Sequence, residues 1–251
     1  MALDTTGAVI PGSFSAGYDT ELQDPASTTK AWTFYTVLAL IRDHRIPQDF
    51  LATHANAIRR MLVFSDNNCA MQVASDAAKA AGRDGTITNA YLTEVPGFAD
   101  LMNEYAGKAG LDHTHFKTAS GMPEQGHYST ALDMARMMWH LRHDFNGTPV
   151  EGAVGLAGLD SYQGRANTGA RVLHQDGGTN LAKTGTARGI YGSDGKYSFV
   201  GATDHGTYAL AGVATSDDRA SLARALANRT NNVQAAFPRL ADPGTSPLQP
   251  R

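Results

Sequence analysis

Over roughly the first 145 residues apolar positions recur at helical spacing, and over a shorter part near the end they follow strand-like runs. Ala31 to Ile41 is mostly apolar and free of Gly and Pro, which predicts a buried helix from about Ser27 that ends before Pro47. A second, less sharply amphipathic pattern runs from Gln48 to Phe64 through Leu51, Ile58, Met61 and Leu62. A third begins after Ser65-Asp66-Asn67 and carries Ala70, Val73, Ala74, Ala77, Ala78 and Ala81 on one face. Residues 82–96 are rich in Gly, Thr and Asn and read as a loop. Phe98, Leu101, Met102, Tyr105 and Ala109 make the next helix, with Gly110 as its stop. Thr130 with Asp133 resembles a capping box that opens a helix through Met134, Met138, Trp139 and Leu141.

Beyond about residue 145 glycine becomes frequent. Tyr197 to Thr203 and Thr207 to Thr215 are β-prone and joined by Asp204-His205-Gly206, which predicts a hairpin. Ser216-Asp217-Asp218 reads as an N-cap and acidic first turn for a last helix through Leu222, Ala225 and Leu226. Near the N-terminus, Gly7 to Ile10 and Ser13 to Ser15 flank Pro11-Gly12 and suggest a small hairpin at a sheet edge. Residues 237–251 hold four prolines and little to bury, so a loose tail is expected.

Composition narrows the picture. A chain of 251 residues with 42% hydrophobic content suits one globular domain, able to bury roughly 70–75% of its unfolded surface. Lys and Arg total 21 against 24 Asp and Glu, a net charge of -3 that provides no general field for nucleic acid or anionic lipid. The lone Cys69 excludes an intramolecular disulfide and a cysteine-cluster metal site, and reads as a small buried apolar residue. The start of the chain lacks the layout of a signal peptide, and the apolar run within Trp32 to Ile41 is too short to span a bilayer. The nine histidines show no metal-ligand spacing, and His113-Thr114-His115 reads as structural or surface. No cofactor is expected.

The candidate chemistry lies in three short stretches. Ser27 and Lys30 stand three apart at a predicted helix start, so a hydroxyl and an amine can meet on one face. Burial or nearby positive charge would lower the amine's pKa and let it take the serine's proton. The plain alternative is a helix N-cap at Ser27 and a solvated first-turn cation at Lys30. Ser193-Asp194-Gly195-Lys196 has the same spacing, but its Asp-Gly core reads as a turn. The second stretch is Ser65-x-Asn67, whose alternative role is capping the helix that follows; the third is Lys183-Thr184-Gly185-Thr186 on a strand.

In that order the three stretches are the motifs of penicillin-recognising serine hydrolases. The sequence resembles the low-molecular-weight penicillin-binding proteins, specifically the D-alanyl-D-alanine carboxypeptidase family. The likeness extends through Asp4 to Gly7, Met61 to Ala70, Phe98 to Asn103, His115-Phe116 and Gly121 to Met134, and so over most of residues 3–230. It implies an α+β fold in three layers (α/β/α): an antiparallel sheet flanked by helices. The sheet part would be about 1–44 and 166–236, with a helical part of about 45–165 inserted, together one catalytic domain of residues 1–236 with the site between the parts.

The resemblance implies a peptidoglycan stem peptide as substrate, β-lactam antibiotics as covalent inhibitors, no nucleic-acid partner, and an extracytoplasmic or periplasmic location in a bacterium. Ser27 would be the nucleophile and Lys30 its base. Ser65 with Lys183 would relay the proton to the leaving amine, and Asn67 would hold the substrate backbone or Lys30. The oxyanion would meet the main-chain N–H groups of Ser27 and Thr186, set by Gly185. The substrate carboxylate would meet Lys183, Thr184 and Arg219, with a solvated helix-start arginine as the alternative for Arg219. Rival readings are a β-lactamase or esterase of the same superfamily and a non-catalytic wall-binding homologue. Three departures stand out. Only 38 positions separate Ser27 from Ser65, Asp66 replaces a more usual glycine, and no Glu-x-x-Leu-Asn segment is present.

Overall fold

The computed structural model describes residues 1–13, 23–91, 93–159, 161–166, 181–187, 196–213 and 216–236. Its centre is helix α1 (Thr29–Arg42), in which thirteen consecutive residues from Thr29 to Ile41 are buried. A helix apolar on every side belongs inside a larger protein, and its few polar groups are satisfied there. Trp32 Nε1 donates to Met102 O at 3.0 Å, Thr33 Oγ1 to Ala119 O at 2.6 Å and Thr36 Oγ1 to Trp32 O at 2.9 Å. Around it lie α2 (Phe50–Thr53), α3 (Ala55–Val63), α4 (Asn67–Ala80), α5 (Pro96–Lys108), α6 (Ala131–His143) and the short α7 (Glu151–Val154).

Strands β2 (Ser161–Tyr162) and β3 (Arg165–Ala166) form a small separate pair. The main sheet contains β1 (Ala2–Asp4), β4 (Ala182–Ala187), β5 (Lys196–Thr203) and β6 (Gly206–Val213), antiparallel in the order β1-β6-β5-β4. Strand alternation divides its side chains between two faces. Phe199 and Tyr208 pack with Ala223 and Ala227 of α8 (Ser216–Ala236), whereas Val200 and Ala209 join the core built on α1 and α6. The result is an α+β fold in which the sheet lies between α8 and the helical core. No helix among the described residues is long and apolar enough to cross a membrane.

Several local expectations need correction. The chain reaches α1 through a 3-10 turn, Ala26–Thr28, and the α-helix starts at Thr29, two residues after Ser27. The pattern over 48–64 is two helices broken at His54, whose ring stacks on Phe50 with centroids 3.9 Å apart. The capping box at Thr130 is half made: Thr130 Oγ1 accepts from Asp133 N, but the Asp133 carboxylate turns to His113 N and Thr114 Oγ1. At the N-terminus the strand is Ala2–Asp4, ahead of the expected hairpin. The Asp4 carboxylate accepts from Thr6 N, Thr6 Oγ1 and Ala8 N to form the turn that follows. Phe14 and Ser15, Ser193 to Gly195, Thr215 and residues 237–251 lie outside the described residues.

Candidate active site

The turn that carries Ser27 is gripped from two sides by glycines. Strand β4 lies so close that a Cβ at Gly185 would stand 2.2 Å from Ser198 Oγ and 2.9 Å from Pro25 O. On the other side, Gly121 at φ +77° approaches Ala26, whose carbonyl oxygen would be 1.8 Å from an added Cβ. Neither approach tolerates a side chain. Asp24 Oδ1 accepts from Ala26 N at 2.8 Å and Ser198 Oγ donates to Pro25 O at 2.9 Å, which fixes the turn further. Ala26 itself has φ +48°, an uncommon conformation for a residue with a Cβ.

This turn points the half-buried Ser27 hydroxyl at Lys30, with Oγ and Nζ 2.8 Å apart. Lys30 is fully buried, at 0% exposure. Burial, and secondarily the nearby Lys183, hold its pKa well below the ordinary lysine value, against an opposing pull from Asp66. A neutral amine has a lone pair and can accept the serine proton. Its own N–H is donated to Ser120 O at 2.6 Å.

Ser65 links α3 to α4 at φ +59°, and receives an N–H from Lys183 Nζ at 2.9 Å. The same amine donates to Thr184 O at 2.8 Å. Lys183 is 3% exposed, and burial, assisted by the charge of Arg219, brings its pKa down to about 7. Helix α4 is capped by Asp66, and by neither Ser65 nor Asn67: Asp66 Oδ1 accepts from Cys69 N at 3.1 Å, and its other oxygen takes Arg60 Nη2 at 2.7 Å. Burial opposes the ionisation of Asp66, but the bonds from Arg60 and Cys69 outweigh it and keep the carboxyl below its usual pKa. Freed from capping, Asn67 donates its amide to Met122 Sδ at 3.3 Å and not to Lys30. Cys69 is only partly buried, which corrects the expectation of a small core residue.

On β4 the alternation leaves Lys183 and Gly185 buried, Thr184 half-buried and Thr186 exposed. Arg219, in the first turns of α8, donates Nη1 to Gly185 O at 3.1 Å and lies 3.5 Å from Thr186 Oγ1. Its guanidinium sits 5.2 Å from the centre of the Tyr197 ring. Thus Ser27, Lys30, Ser65 and Lys183 form two serine–lysine pairs, Asn67 follows Ser65, and Thr184 to Thr186 with Arg219 form the strand wall. The arrangement suits proton transfer between hydroxyl and amine beside an exposed strand edge. Sequence reasoning gave no site role to Ser120, Met122 and His127, which the segment between α5 and α6 brings to Lys30, Asn67 and Thr29 respectively.

Comparison with known proteins identifies the family. A family model described as D-alanyl-D-alanine carboxypeptidase matches residues 5–218. The D-alanyl-D-alanine carboxypeptidase DacD of Salmonella typhimurium is 28% identical over 202 residues, which is 74% of this chain and 50% of that protein. The match therefore spans half of that protein, and 31% to 36% of other curated relatives. Penicillin binding protein 6B from Escherichia coli superposes with a TM-score of 0.65 at 21% identity, covering 91% of this chain and 75% of that one. A D-alanyl-D-alanine carboxypeptidase from Mycobacterium tuberculosis gives 0.61 at 15% identity, covering 92% and 89%. At such identities the superpositions speak for the fold.

Proposed function

Because the chain belongs to the D-alanyl-D-alanine carboxypeptidase family, we propose that it removes the terminal D-alanine from peptidoglycan stem peptides through an acyl-enzyme on Ser27. The observation that carries this reading is the Ser27–Lys30 pair, 2.8 Å apart, with the amine buried and its pKa held well below the ordinary lysine value. Lys30 Nζ takes the Ser27 proton as Oγ attacks the penultimate peptide carbonyl. The oxyanion is assigned to the main-chain N–H groups of Ser27 and Thr186, which the close approach at Gly185 keeps together.

As the tetrahedral intermediate collapses, the scissile C–N bond breaks and the leaving amine needs a proton. Ser65 hands over its own and is resupplied by Lys183, 2.9 Å away and with a pKa near neutrality. The substrate carboxylate is assigned to Lys183, Thr184 and Arg219, with the nearby Thr186 hydroxyl as a further donor, and the Asn67 amide to the substrate backbone, reached by giving up the weak Met122 sulfur contact. Water then attacks the acyl-enzyme and frees Ser27. With a β-lactam the acylation half alone leaves a covalent adduct on Ser27, and a peptidoglycan substrate implies a place outside the cytoplasmic membrane of a bacterium.

Intact-protein mass measured against time after mixing with benzylpenicillin, with the adduct mapped by digestion, tests the reading. The expected result is a long-lived adduct on Ser27, accompanied by D-alanine release from a pentapeptide. An adduct that disappears while penicillin is consumed would mean a β-lactamase, and no adduct would mean a non-catalytic homologue.

A further inference from the structure

We infer that His127 is a positioning residue for the Lys30 base, acting through the loop of residues 117–122 that it ties to the start of α1. The inference rests on the reading of Lys30 given above. His127 is 5% exposed, and Phe116 packs edge-on against its ring at 5.8 Å. Its Nδ1 faces two backbone donors, Lys117 N at 3.0 Å and Thr118 N at 3.4 Å, so this nitrogen carries no proton. The single ring proton is therefore on Nε2, which donates to Thr29 Oγ1 at 3.0 Å. One imidazole thus joins the residue next to Lys30 to the loop that carries Ser120.

That loop decides where the lone pair of Lys30 points. A neutral primary amine has two protons and one lone pair. Donating one N–H to Ser120 O at 2.6 Å restricts rotation about the last bond of the side chain and directs the lone pair at Ser27. Displacing the carbonyl frees the amine to turn a proton towards Ser27, which is the wrong arrangement for a base. Other bonds hold the middle of the loop: Thr33 Oγ1 to Ala119 O at 2.6 Å and Thr93 Oγ1 to Ser120 Oγ at 2.5 Å. His127 anchors its incoming end.

His127 takes no part in proton transfer. Burial, and secondarily the electrostatic influence of His115 and Lys30, bring its pKa down to about 3. It has one protonation state throughout the working range, and its three hydrogen bonds run to the scaffold. The charged groups that face Lys30 itself are Lys183 and Asp66.

The test is the second-order rate constant for acylation by benzylpenicillin, measured from pH 5.5 to 10 for wild type, His127→Leu and His127→Gln, with melting temperatures alongside. Leucine fills the space without hydrogen bonds, and the rate at pH 7 should fall about 10- to 100-fold, the usual result of a misplaced catalytic group. The acid limb should also move to higher pH, since a loosened loop admits water and returns Lys30 towards its ordinary basicity. Glutamine keeps one acceptor for the loop and one donor for Thr29, and should restore most of the rate and the wild-type limb.

A folded His127→Leu with wild-type rate and profile overturns the inference, as do Leu and Gln variants equally slow with an unshifted limb. If His127→Leu does not fold, Thr29→Val removes the other end of the tie and should displace the limb in the same direction; an unshifted limb overturns the inference too. A wild type inert to penicillin brings down the functional reading, and this inference with it. A reactive wild type with indifferent variants removes the inference alone.

Discussion

Lys30 enters the cleft from the first turn of α1, a helix buried without interruption from Thr29 to Ile41, while Lys183 comes from β4, where exposure rises from the buried Ala182 to the exposed Thr186. The partners are nonetheless of the same two kinds. Each amine contacts one serine hydroxyl, Ser27 or Ser65, and donates to one main-chain carbonyl, Ser120 or Thr184. The second positive charge differs: Lys183 depresses Lys30, whereas Arg219 depresses Lys183. Burial is the larger cause at both sites. A buried helix therefore holds one amine beside Ser27, and a strand presents the second where the ladder sets its height and direction.

The comparison breaks most sharply at the first pair. Ser27→Ala should abolish the penicillin adduct, and Lys30→Ala should slow acylation by about 10² to 10⁴, the worth of a positioned base. An unchanged acylation rate in Lys30→Ala would transfer the role of base to the second pair.

The next effect is on stability. The Lys183 amine titrates at about 7 when folded, against an ordinary value of 10.5. Between these two pH values the unfolded chain binds a proton that the native protein refuses, so stability rises with pH across the window. Roughly 5 kcal/mol of penalty is fully present below pH 7 and is relieved by pH 10.5. Lys183→Met, similar in volume and uncharged, should melt several degrees higher than wild type at pH 7, with the gap closing towards pH 10, while peptide turnover is lost. A gap that does not change with pH would refute the depressed pKa.

Arg219→Ala should produce the smallest change, because its guanidinium is held partly by Gly185 O and the Tyr197 ring. Release of D-alanine from peptides with a free C-terminal carboxylate should fall roughly 10-fold in kcat/KM, the value of one charged hydrogen bond. C-terminal amides should be spared. Equal losses on both would assign Arg219 to holding the strand instead.

The sequence reported these walls unequally. Helical spacing located α1, α4, α5 and α6, and turn chemistry located the β5–β6 hairpin, because those signals depend on neighbours in the chain. The motif order brought Ser27, Ser65 and Lys183 to one place across 38 and 118 residues, which the Lys183–Ser65 bond at 2.9 Å agrees with. What stayed hidden depends on main chain or on distant packing. The carbonyls of Ser120 and Thr184 belong to no residue type, so no pattern announces them. The capping Asp66 also takes Arg60 Nη2 on its other oxygen, and His54, at the break between α2 and α3, stacks on Phe50. Neither competes visibly with Ser65 or with helical periodicity in a string of letters.

Strand β4 ends the sheet on one side, since among the described strands it pairs only with β5. Among the described residues no further strand pairs with its outer side, where Arg219 caps Gly185 O. An extended peptide lying along it would become a further strand, bound through the backbone that every peptide shares, with successive side chains directed up and down out of the way. A site built in this manner reads the chain's direction and its end before its composition. The same open row that admits a guest would also welcome a second copy of the protein, and the exposed Thr186 and charged Arg219 flanking it are the kind of polar border that discourages such pairing.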